Sequence, residues 1–190
     1  MGAIRFEHAE FYLDQGYRLQ MQGDLEKAAE AYRKSIAAHP LPEAHTFLGW
    51  TYSFMRRMQD AIDECHKAIA IDPDYGNPYN DIGAYLIEQG KLDEAIPYLQ
   101  SAIRASRYEA RHYPHFNLSR VWLQKNQLAE AIHELEEAVR LCPNYPAALK
   151  ELARLRDEES RRARVSPIPP APAPTQSPAG PTTKTPQGNG

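Results

Sequence analysis

A segment of about 34 residues recurs four times along this chain, and this repeat limits the possible folds more than any other feature. Each copy has its apolar residues three or four positions apart, as on one face of a helix. A small residue marks the register at successive spacings of 33, 34 and 36 residues: Ala28, Ala61, Ala95 and Ala131. Because one such unit cannot bury its apolar face alone, we expect consecutive copies to stack.

A second helical pattern precedes each of these segments. It contains a small residue twelve positions before the alanine, in the order Gly16, Gly49, Gly83 and Ser119. Small residues allow two antiparallel helices to pack closely, so we expect each of them to face the alanine of its own repeat. The strict alternation that is typical of strands appears nowhere, and the pattern therefore predicts an all-α fold.

The second repeat resembles the tetratricopeptide repeat (TPR) family most clearly. The family's leucine-glycine pair, tyrosine, two alanines and closing proline are matched by Leu48, Gly49, Tyr52, Ala61, Ala68 and Pro73. The resemblance covers about residues 9–145. It implies a right-handed α-solenoid of about four helix-turn-helix repeats with a C-terminal capping helix.

This register predicts where the parts of the chain begin and end. Residues 1–8 extend the first helix, and 146–164 form a charged capping helix that keeps the end of the stack polar. The tail, 165–190, has eight prolines after Ser166 and is predicted to be disordered. The four repeats are expected at about 9–41, 42–75, 76–109 and 112–145.

The chain departs from the family pattern at Gln15, where leucine is usual, at Ser119 in place of glycine, and at Arg56 and Arg107. Arg56 lies in the turn inside the second repeat, where the other repeats have Gly23, Gly90 and Asn126, which tolerate a left-handed backbone. We therefore expect a slightly different turn at Arg56. Arg107 takes the place of the closing proline in the third repeat, and two additional residues follow before the pattern resumes.

The charge of the chain is nearly balanced, with 22 basic and 25 acidic residues and a formal net charge of -3. This balance is not that of a dedicated nucleic-acid binder. No run approaches the 18 or so apolar residues of a membrane span, and the first ten residues lack the apolar core of a signal peptide. We therefore expect a cytoplasmic protein with no nucleic-acid partner and no membrane insertion.

The sequence offers little catalytic chemistry. His45 and His115 fall at the same repeat position, where a large packing residue is usual, and no acidic residue or cysteine joins His112 and His115 at metal-ligand spacing. Cys65 falls at a core position, and no phosphate loop, nucleophile elbow or zinc motif occurs. We therefore predict a non-enzyme with no cofactor and no metal.

The family resemblance implies that the first helix of each repeat lines a concave groove. Aromatic rings beside amide and charged groups suit recognition of a protein or peptide partner. The alternative for each ring is packing between neighbouring repeats. The candidate partner-binding residues are Tyr17, Phe47, Trp50, Phe54, Asn77, Asn80, Asp81, Tyr113, Phe116, Asn117 and Arg120.

Some family members hold a chaperone's C-terminal carboxylate with a clamp of the Hsp90/Hsp70 type, built from lysines, asparagines and an arginine. Here the first repeat has Leu13 and Tyr17 at such positions, and the third has Asn77 and Asp81, so this clamp is not expected. The predicted function is a non-catalytic scaffold that binds a partner segment in its groove. The alternative is a subunit of a larger secretion, pilus or envelope assembly that uses a convex or end surface.

Overall fold

The computed structural model describes residues 2–165, so the predicted tail lies outside the described residues except for Val165. Over these residues the chain forms nine α-helices and no extended strand, which confirms the all-α prediction. The helices are α1 (Gly2–Met21), α2 (Leu25–Ala38), α3 (Pro42–Phe54), α4 (Met58–Ile71), α5 (Asn77–Glu88), α6 (Leu92–Arg104), α7 (His112–Gln124), α8 (Leu128–Leu141) and α9 (Pro146–Val165).

The helices form two layers. Helices α1, α3, α5 and α7 each pack antiparallel against the helix that follows, and these four also contact one another in order along one layer. The even-numbered helices make no comparable contacts with one another. Because the odd layer is the closer-packed one, the stack curves with α1, α3, α5 and α7 on its concave side.

Helix starts follow from local chemistry. Asp24 precedes α2 and accepts a hydrogen bond from the backbone N–H of Lys27 at 3.4 Å, which satisfies one of the free donors of the first turn. Both α3 and α5 carry a proline in their first turn, Pro42 and Pro78, where the missing N–H costs no helical hydrogen bond.

The four alanines that mark the repeat register are all fully buried. The small residues upstream of them face a bulkier neighbour than we expected. A methyl group added at Gly16 would lie 2.5 Å from the Tyr32 ring, and one added at Gly83 would lie 2.4 Å from Leu99. The space left by each glycine is therefore filled by the large residue one helical turn beyond the alanine.

In the second repeat, by contrast, the expected neighbour is present. A methyl group at Gly49 would lie 2.9 Å from the Ala61 carbonyl oxygen and 3.3 Å from the Cys65 sulfur. Cys65 is smaller than the tyrosine or leucine at the equivalent positions, so the two backbones meet directly. Cys65 is fully buried, as its position in the repeat predicts.

The expectation of a different turn at Arg56 is wrong. Arg56 has a φ of 62°, close to the values of 82° at Gly23, 74° at Gly90 and 58° at Asn126. In each turn the following residue donates its N–H to a carbonyl oxygen five positions earlier, at 2.8–3.0 Å. The antiparallel packing of the two helices that the turn connects fixes this conformation, and Arg56 adopts it at a cost of roughly 1–2 kcal/mol.

The link between α6 and α7 contains the two additional residues and makes a short bridge to the link between α4 and α5. The N–H of Arg107 donates to the Asp74 carbonyl oxygen at 3.0 Å, and the N–H of Gly76 donates to the Arg107 carbonyl oxygen at 3.2 Å. A methyl group at Gly76 would lie 2.4 Å from Tyr108, so glycine is required for this close approach.

The Arg107 side chain, at the position of the closing proline in the other repeats, makes contacts with the second repeat. It forms ion pairs with Glu43 at the start of the second repeat and with Asp72 at its end. Its guanidinium also lies 4.5 Å from the centre of the Tyr75 ring, within cation–π range. One side chain therefore connects the third repeat to both ends of the second.

The last helix, α9, packs against α8. Ala148, Leu152 and Leu155 are buried in this contact, whereas Leu149 remains 42% exposed. The opposite face carries ion pairs within the helix, such as Arg154 with Glu151 at 2.6 Å.

Candidate partner-binding groove

The first two repeats place four rings on the concave side, and we call them the N-terminal aromatic wall: Tyr17, Phe47, Trp50 and Phe54. The Tyr17 and Phe47 ring centres lie 5.8 Å apart, and those of Trp50 and Phe54 lie 5.3 Å apart. Tyr17 is 44% exposed and Phe54 is 54% exposed. The wall therefore presents apolar surface that the described residues do not cover.

Phe47 has a second role in this wall. Its ring centre lies 5.9 Å from that of Tyr32 in the core, and the residue is half-buried. Thr46, a neighbouring groove position in the family, is buried and donates its hydroxyl to the Pro42 carbonyl oxygen at 2.8 Å. The inner face of the second repeat is thus partly core and partly free surface.

The fourth repeat carries a second group of rings, the C-terminal aromatic cluster: His112, Tyr113, Phe116 and Tyr145. Tyr145 lies in the link before α9, and its ring makes edge contacts with Tyr113 at 5.6 Å and Phe116 at 5.2 Å. Tyr113 is still 44% exposed. The sequence analysis did not identify Tyr145, because it lies outside the helices that line the groove.

A polar row connects the third repeat to the fourth. Asn117 Nδ2 donates to Asn80 Oδ1 at 3.0 Å, and Arg120 Nη1 donates to Asn117 Oδ1 at 3.0 Å. Asn80 Nδ2 in turn donates to Asp81 Oδ1 at 3.4 Å. The structure thus brings four predicted residues together, but Asn117 is buried and the two amides already bond to each other.

A cavity of 420 Å³ lies between the N-terminal aromatic wall and the third repeat. We call it the acidic pocket, because two carboxylates lie along its walls and neither forms an ion pair within the described residues. Its lining residues are Trp50, Ser53, Phe54, Arg56, Met58, Asp81, Ala84, Tyr85 and Glu88.

Asp81 is the unusual group in this pocket. Desolvation raises the pKa of its carboxyl to about 7, and the hydrogen bond from Asn80 offsets only part of that effect. Burial also raises the pKa of Tyr75, Tyr85 and Tyr108, and the negative charge of Asp81 raises each of them further. A carboxyl with a strongly shifted pKa at the wall of a cavity marks a candidate functional site.

Asn77 does not join this group. It lines a separate cavity of 520 Å³ formed with the link between α6 and α7, beside Tyr75, Arg107 and Tyr108. The structure therefore separates Asn77 from the other predicted polar residues of the third repeat.

The histidines make structural pairs that the sequence did not reveal. His45 Nδ1 lies 2.6 Å from Glu64 Oε2, and His115 Nδ1 lies 2.7 Å from Glu134 Oε2. Burial opposes ionisation of Glu64, but hydrogen bonds from His45 and Lys67 lower its pKa overall. Among residues 2–165, no group of three His, Cys, Asp or Glu side chains is arranged to hold a metal ion.

Comparison with known proteins places this architecture in a family. The model described as "Tetratricopeptide repeat" matches residues 13–76 and 80–146. The chain belongs to the tetratricopeptide repeat family. The matched ranges include at least part of each of the eight helices α1 to α8.

Several tetratricopeptide proteins are similar to this chain. The "Type IV pilus assembly protein PilF" of Pseudomonas aeruginosa is 30% identical over 152 residues, which are 80% of this chain and 60% of PilF. The chain thus spans less than two thirds of that relative's length. A solved structure of Pseudomonas aeruginosa PilF superimposes with a TM-score of 0.78 and 29% identity, covering 84% of this chain and 72% of the other.

A second solved structure, described as "PilW, widely conserved type IV pilus biogenesis factor", has the same fold. Its TM-score is 0.73 at 18% identity, over 82% of this chain and 71% of that one. None of the helices in residues 2–165 combines the length and the apolarity that crossing a membrane requires.

Proposed function

We propose that this chain is a non-catalytic scaffold that binds an extended segment of a partner protein along its concave groove. The observation that carries the proposal is the exposed N-terminal aromatic wall, which lies directly beside the acidic pocket. Exposed rings next to desolvated polar groups are typical of the anchor positions of protein interfaces. Family membership supports the same role, since repeat solenoids use their concave surfaces for binding.

The polar row supplies groups for the backbone of such a segment. The oxygens of Asn80 and Asn117 each accept one hydrogen bond within the row, and a carbonyl oxygen has two lone pairs. The oxygen of Asn80, which is only partly buried, can therefore accept a further N–H from an extended chain, whereas Asn117 is buried and holds Asn80 in place. Arg120 adds a donor at the end of the row that is closer to the C-terminus.

Within residues 2–165, the cysteine and histidine side chains considered below do not form a reactive set. Burial raises the pKa of the Cys65 thiol well above its usual value, so the nucleophilic thiolate is disfavoured. Both His45 and His115 have one ring nitrogen engaged by a glutamate. A binding role accounts for the groove chemistry without a reaction.

Selection of a random 12-residue peptide library on the immobilised full chain tests this proposal. We expect selected peptides to bind wild-type protein and to lose affinity for Trp50→Ala. The matched control is Gln100→Ala, an exposed position on α6 in the outer layer. Peptides that bind Trp50→Ala as well as wild type would overturn the groove as the binding surface.

The similarity to PilF favours a more specific second role, as an assembly factor of a type IV pilus apparatus. The identity of 30% extends over most of this chain, although the chain matches only 60% of PilF. Expression of this chain in a Pseudomonas aeruginosa strain that lacks PilF tests this role directly. Restored pili, counted by electron microscopy, are the supporting result, and their absence at normal expression removes the role.

Two further statements about the chain remain predictions. The cytoplasmic location is one of them and rests on composition. The absence of a carboxylate clamp rests on the side chains at the groove positions of the first and third repeats. A comparison of binding to peptides with a free or an amidated C-terminus checks the second of these, and we expect equal affinities.

A further inference from the structure

We propose that the acidic pocket holds the cationic side chain, Lys or Arg, of the bound segment. This inference rests on the proposed function, because it names the residue type that the groove selects. It is argued from the shape of the pocket, its aromatic walls and its unpaired polar groups.

The pocket exists because one residue is small. Ala84 occupies the groove position that is held by Tyr17, Trp50 and Arg120 in the other three repeats. A long side chain at this position would extend into the space between α3 and α5. With alanine there, a cavity of 420 Å³ remains beside Asp81, which is enough for a lysine or arginine side chain.

Aromatic rings form one wall of this cavity. Trp50 and Phe54 line it together, with their ring centres 5.3 Å apart and their planes inclined by 47°. The apolar stem of a lysine or arginine can pack against these rings while its charge lies over a ring face. Arg is the more favourable of the two against Trp because its planar guanidinium also stacks.

Two carboxylates supply the opposite charge. Asp81 has one hydrogen-bond donor, the Asn80 side chain at 3.4 Å, and forms no ion pair within the described residues. Glu88 lies at the exposed edge of the same cavity. An incoming cation would therefore meet one carboxylate at the entrance and a second, poorly solvated one inside.

Arg56 also lines the cavity, and its positive charge could compensate a carboxylate there if the two formed an ion pair. Its side chain is exposed, and the ion pairs formed by residues 2–165 do not include one between Arg56 and either carboxylate of the cavity. The cause of the raised pKa of Asp81 is desolvation, and no nearby cation lowers it. Arg56 therefore leaves the inner carboxylate uncompensated.

Tyr85 provides independent evidence that the pocket is built for a polar group. Its hydroxyl is buried and interacts with the Ser53 side chain, but no atom of the described residues completes a hydrogen bond of good geometry with it. The Ser53 hydroxyl on the same wall donates instead to the Trp50 carbonyl oxygen at 2.8 Å. Leaving a buried hydroxyl unpaired is unfavourable, and an ammonium or guanidinium donor in the cavity would relieve it.

The two tryptophans give the experiment an internal control. Trp50 lines the cavity, whereas Trp122 packs between two core clusters beside Lys125. In the ¹⁵N-labelled full chain, the two indole N–H signals are assigned with Trp50→Phe. The probes are the amides N-acetyl-arginine methylamide and N-acetyl-lysine methylamide, and the neutral control is N-acetyl-norleucine methylamide.

We expect the two cationic probes to shift the Trp50 indole signal with saturation and to leave Trp122 unchanged, whereas norleucine produces a smaller shift. Asp81→Asn should weaken the cationic probes about tenfold or more, since it removes the inner charge. Ala84→Leu should abolish the shift by filling the cavity without changing any charge. Asp63→Asn on α4 is the matched control, because Asp63 is exposed, accepts a hydrogen bond from Gln59 and does not line the cavity.

Three results would overturn the inference: no saturable shift with any probe, equal shifts for lysine and norleucine, or a shift that survives both Asp81→Asn and Ala84→Leu. Failure of the proposed function looks different. If library peptides bind the groove without an invariant basic residue, the scaffold function stands and the pocket assignment fails. If the amide probes bind but no peptide depends on Trp50, the pocket stands and the scaffold function fails.

Discussion

The N-terminal aromatic wall and the C-terminal aromatic cluster contain the same kinds of side chain but differ in what covers them. In the first two repeats, the Tyr17 and Phe54 rings extend into the groove with about half of their surface exposed. In the fourth repeat, Tyr145 packs its ring edge-on against both Tyr113 and Phe116. Tyr113 keeps 44% of its surface exposed, the same fraction as Tyr17, so the fourth repeat differs in that the link before α9 also packs on its rings.

This difference shows that a ring at a groove position is not by itself available for binding. Availability depends on whether another part of the chain has already packed on the ring. Aromatic contacts of this kind contribute about 0.5–1.5 kcal/mol beyond the area that they bury, so a ligand must compete with them. We therefore expect the N-terminal wall to provide the main anchors and the C-terminal cluster to provide stability.

Affinity measurements on the two regions give the largest expected effect. Trp50→Ala should weaken binding of a groove-selected peptide by about 2–4 kcal/mol, because it removes a central anchor. Phe116→Ala should cost less than about 1 kcal/mol, since its ring is already engaged by Tyr145. Isothermal titration calorimetry measures both affinities. Equal losses of binding free energy in the two variants would show that the two regions contribute equally to binding.

Stability measurements should give the reverse order. Tyr145→Ala should lower the free energy of unfolding by about 1–3 kcal/mol, because it removes a ring packed against two others. Tyr17→Ala, at a largely exposed ring, should lower it by no more than about 0.5 kcal/mol. Urea unfolding followed by circular dichroism compares them, and a larger loss for Tyr17→Ala would contradict the assignment.

The acidic pocket between the two regions predicts a pH dependence. The pKa of Asp81 is about 7 in the folded chain and about 4 when unfolded, so the folded state holds the proton over this interval and the unfolded state does not. The contribution of Asp81 to stability therefore falls as pH rises from about 4 to 7 and is constant above that.

Asp81→Asn isolates this contribution. At pH 8 the variant should be more stable than wild type by about 1–2 kcal/mol, with partial exposure of the carboxyl keeping the effect small. At pH 4 the two proteins should have nearly the same free energy of unfolding. A difference that does not change between these pH values would show that Asp81 is solvated normally.

The smallest expected effect belongs to the polar row. Arg120→Ala should weaken peptide binding by less than about 1 kcal/mol, because a partly exposed cation at the edge of a groove contributes little. The loss should shrink further at high salt. A salt-independent loss of several kcal/mol would instead mean that Arg120 is a central contact.

Much of the architecture could be predicted from the sequence, because packing alone sets the period. The buried alanines, the fully buried Cys65 and the helix pairs all follow from residues that recur in register. The turn at Arg56 was predicted wrongly because local preference was given more weight than the closure of the helix pair. That closure imposes the same φ on every repeat, including one that has a long side chain.

The site was harder to predict, because it depends on a cavity beside a small residue and on side chains in the segments that connect the helices. Asp81 was identified as a groove residue, but its effect on the pKa of Tyr75, Tyr85 and Tyr108, which lie in three different segments, depends on the fold. A signal for Tyr145 was nevertheless present: Tyr75 and Tyr145 both lie two residues after a closing proline, Pro73 and Pro143. Tyrosine at that position packs at the junction between repeats, where periodic helix patterns give no information.

The ion pairs of Arg107 bear on how the groove responds to a ligand. The curvature of a solenoid follows from small rotations between neighbouring repeats, so contacts that fix these rotations also fix the curvature. Here a single guanidinium joins both ends of the second repeat to the third, and the Gly76 backbone lies against Tyr108 beside it. Tyr75 and Tyr108 in this joint are close enough to Asp81 for its charge to raise their pKa, so we expect the joint to limit changes of curvature near that carboxyl. A binding surface that is already ordered loses little conformational entropy when it binds a ligand, and its selectivity comes from its shape rather than from rearrangement.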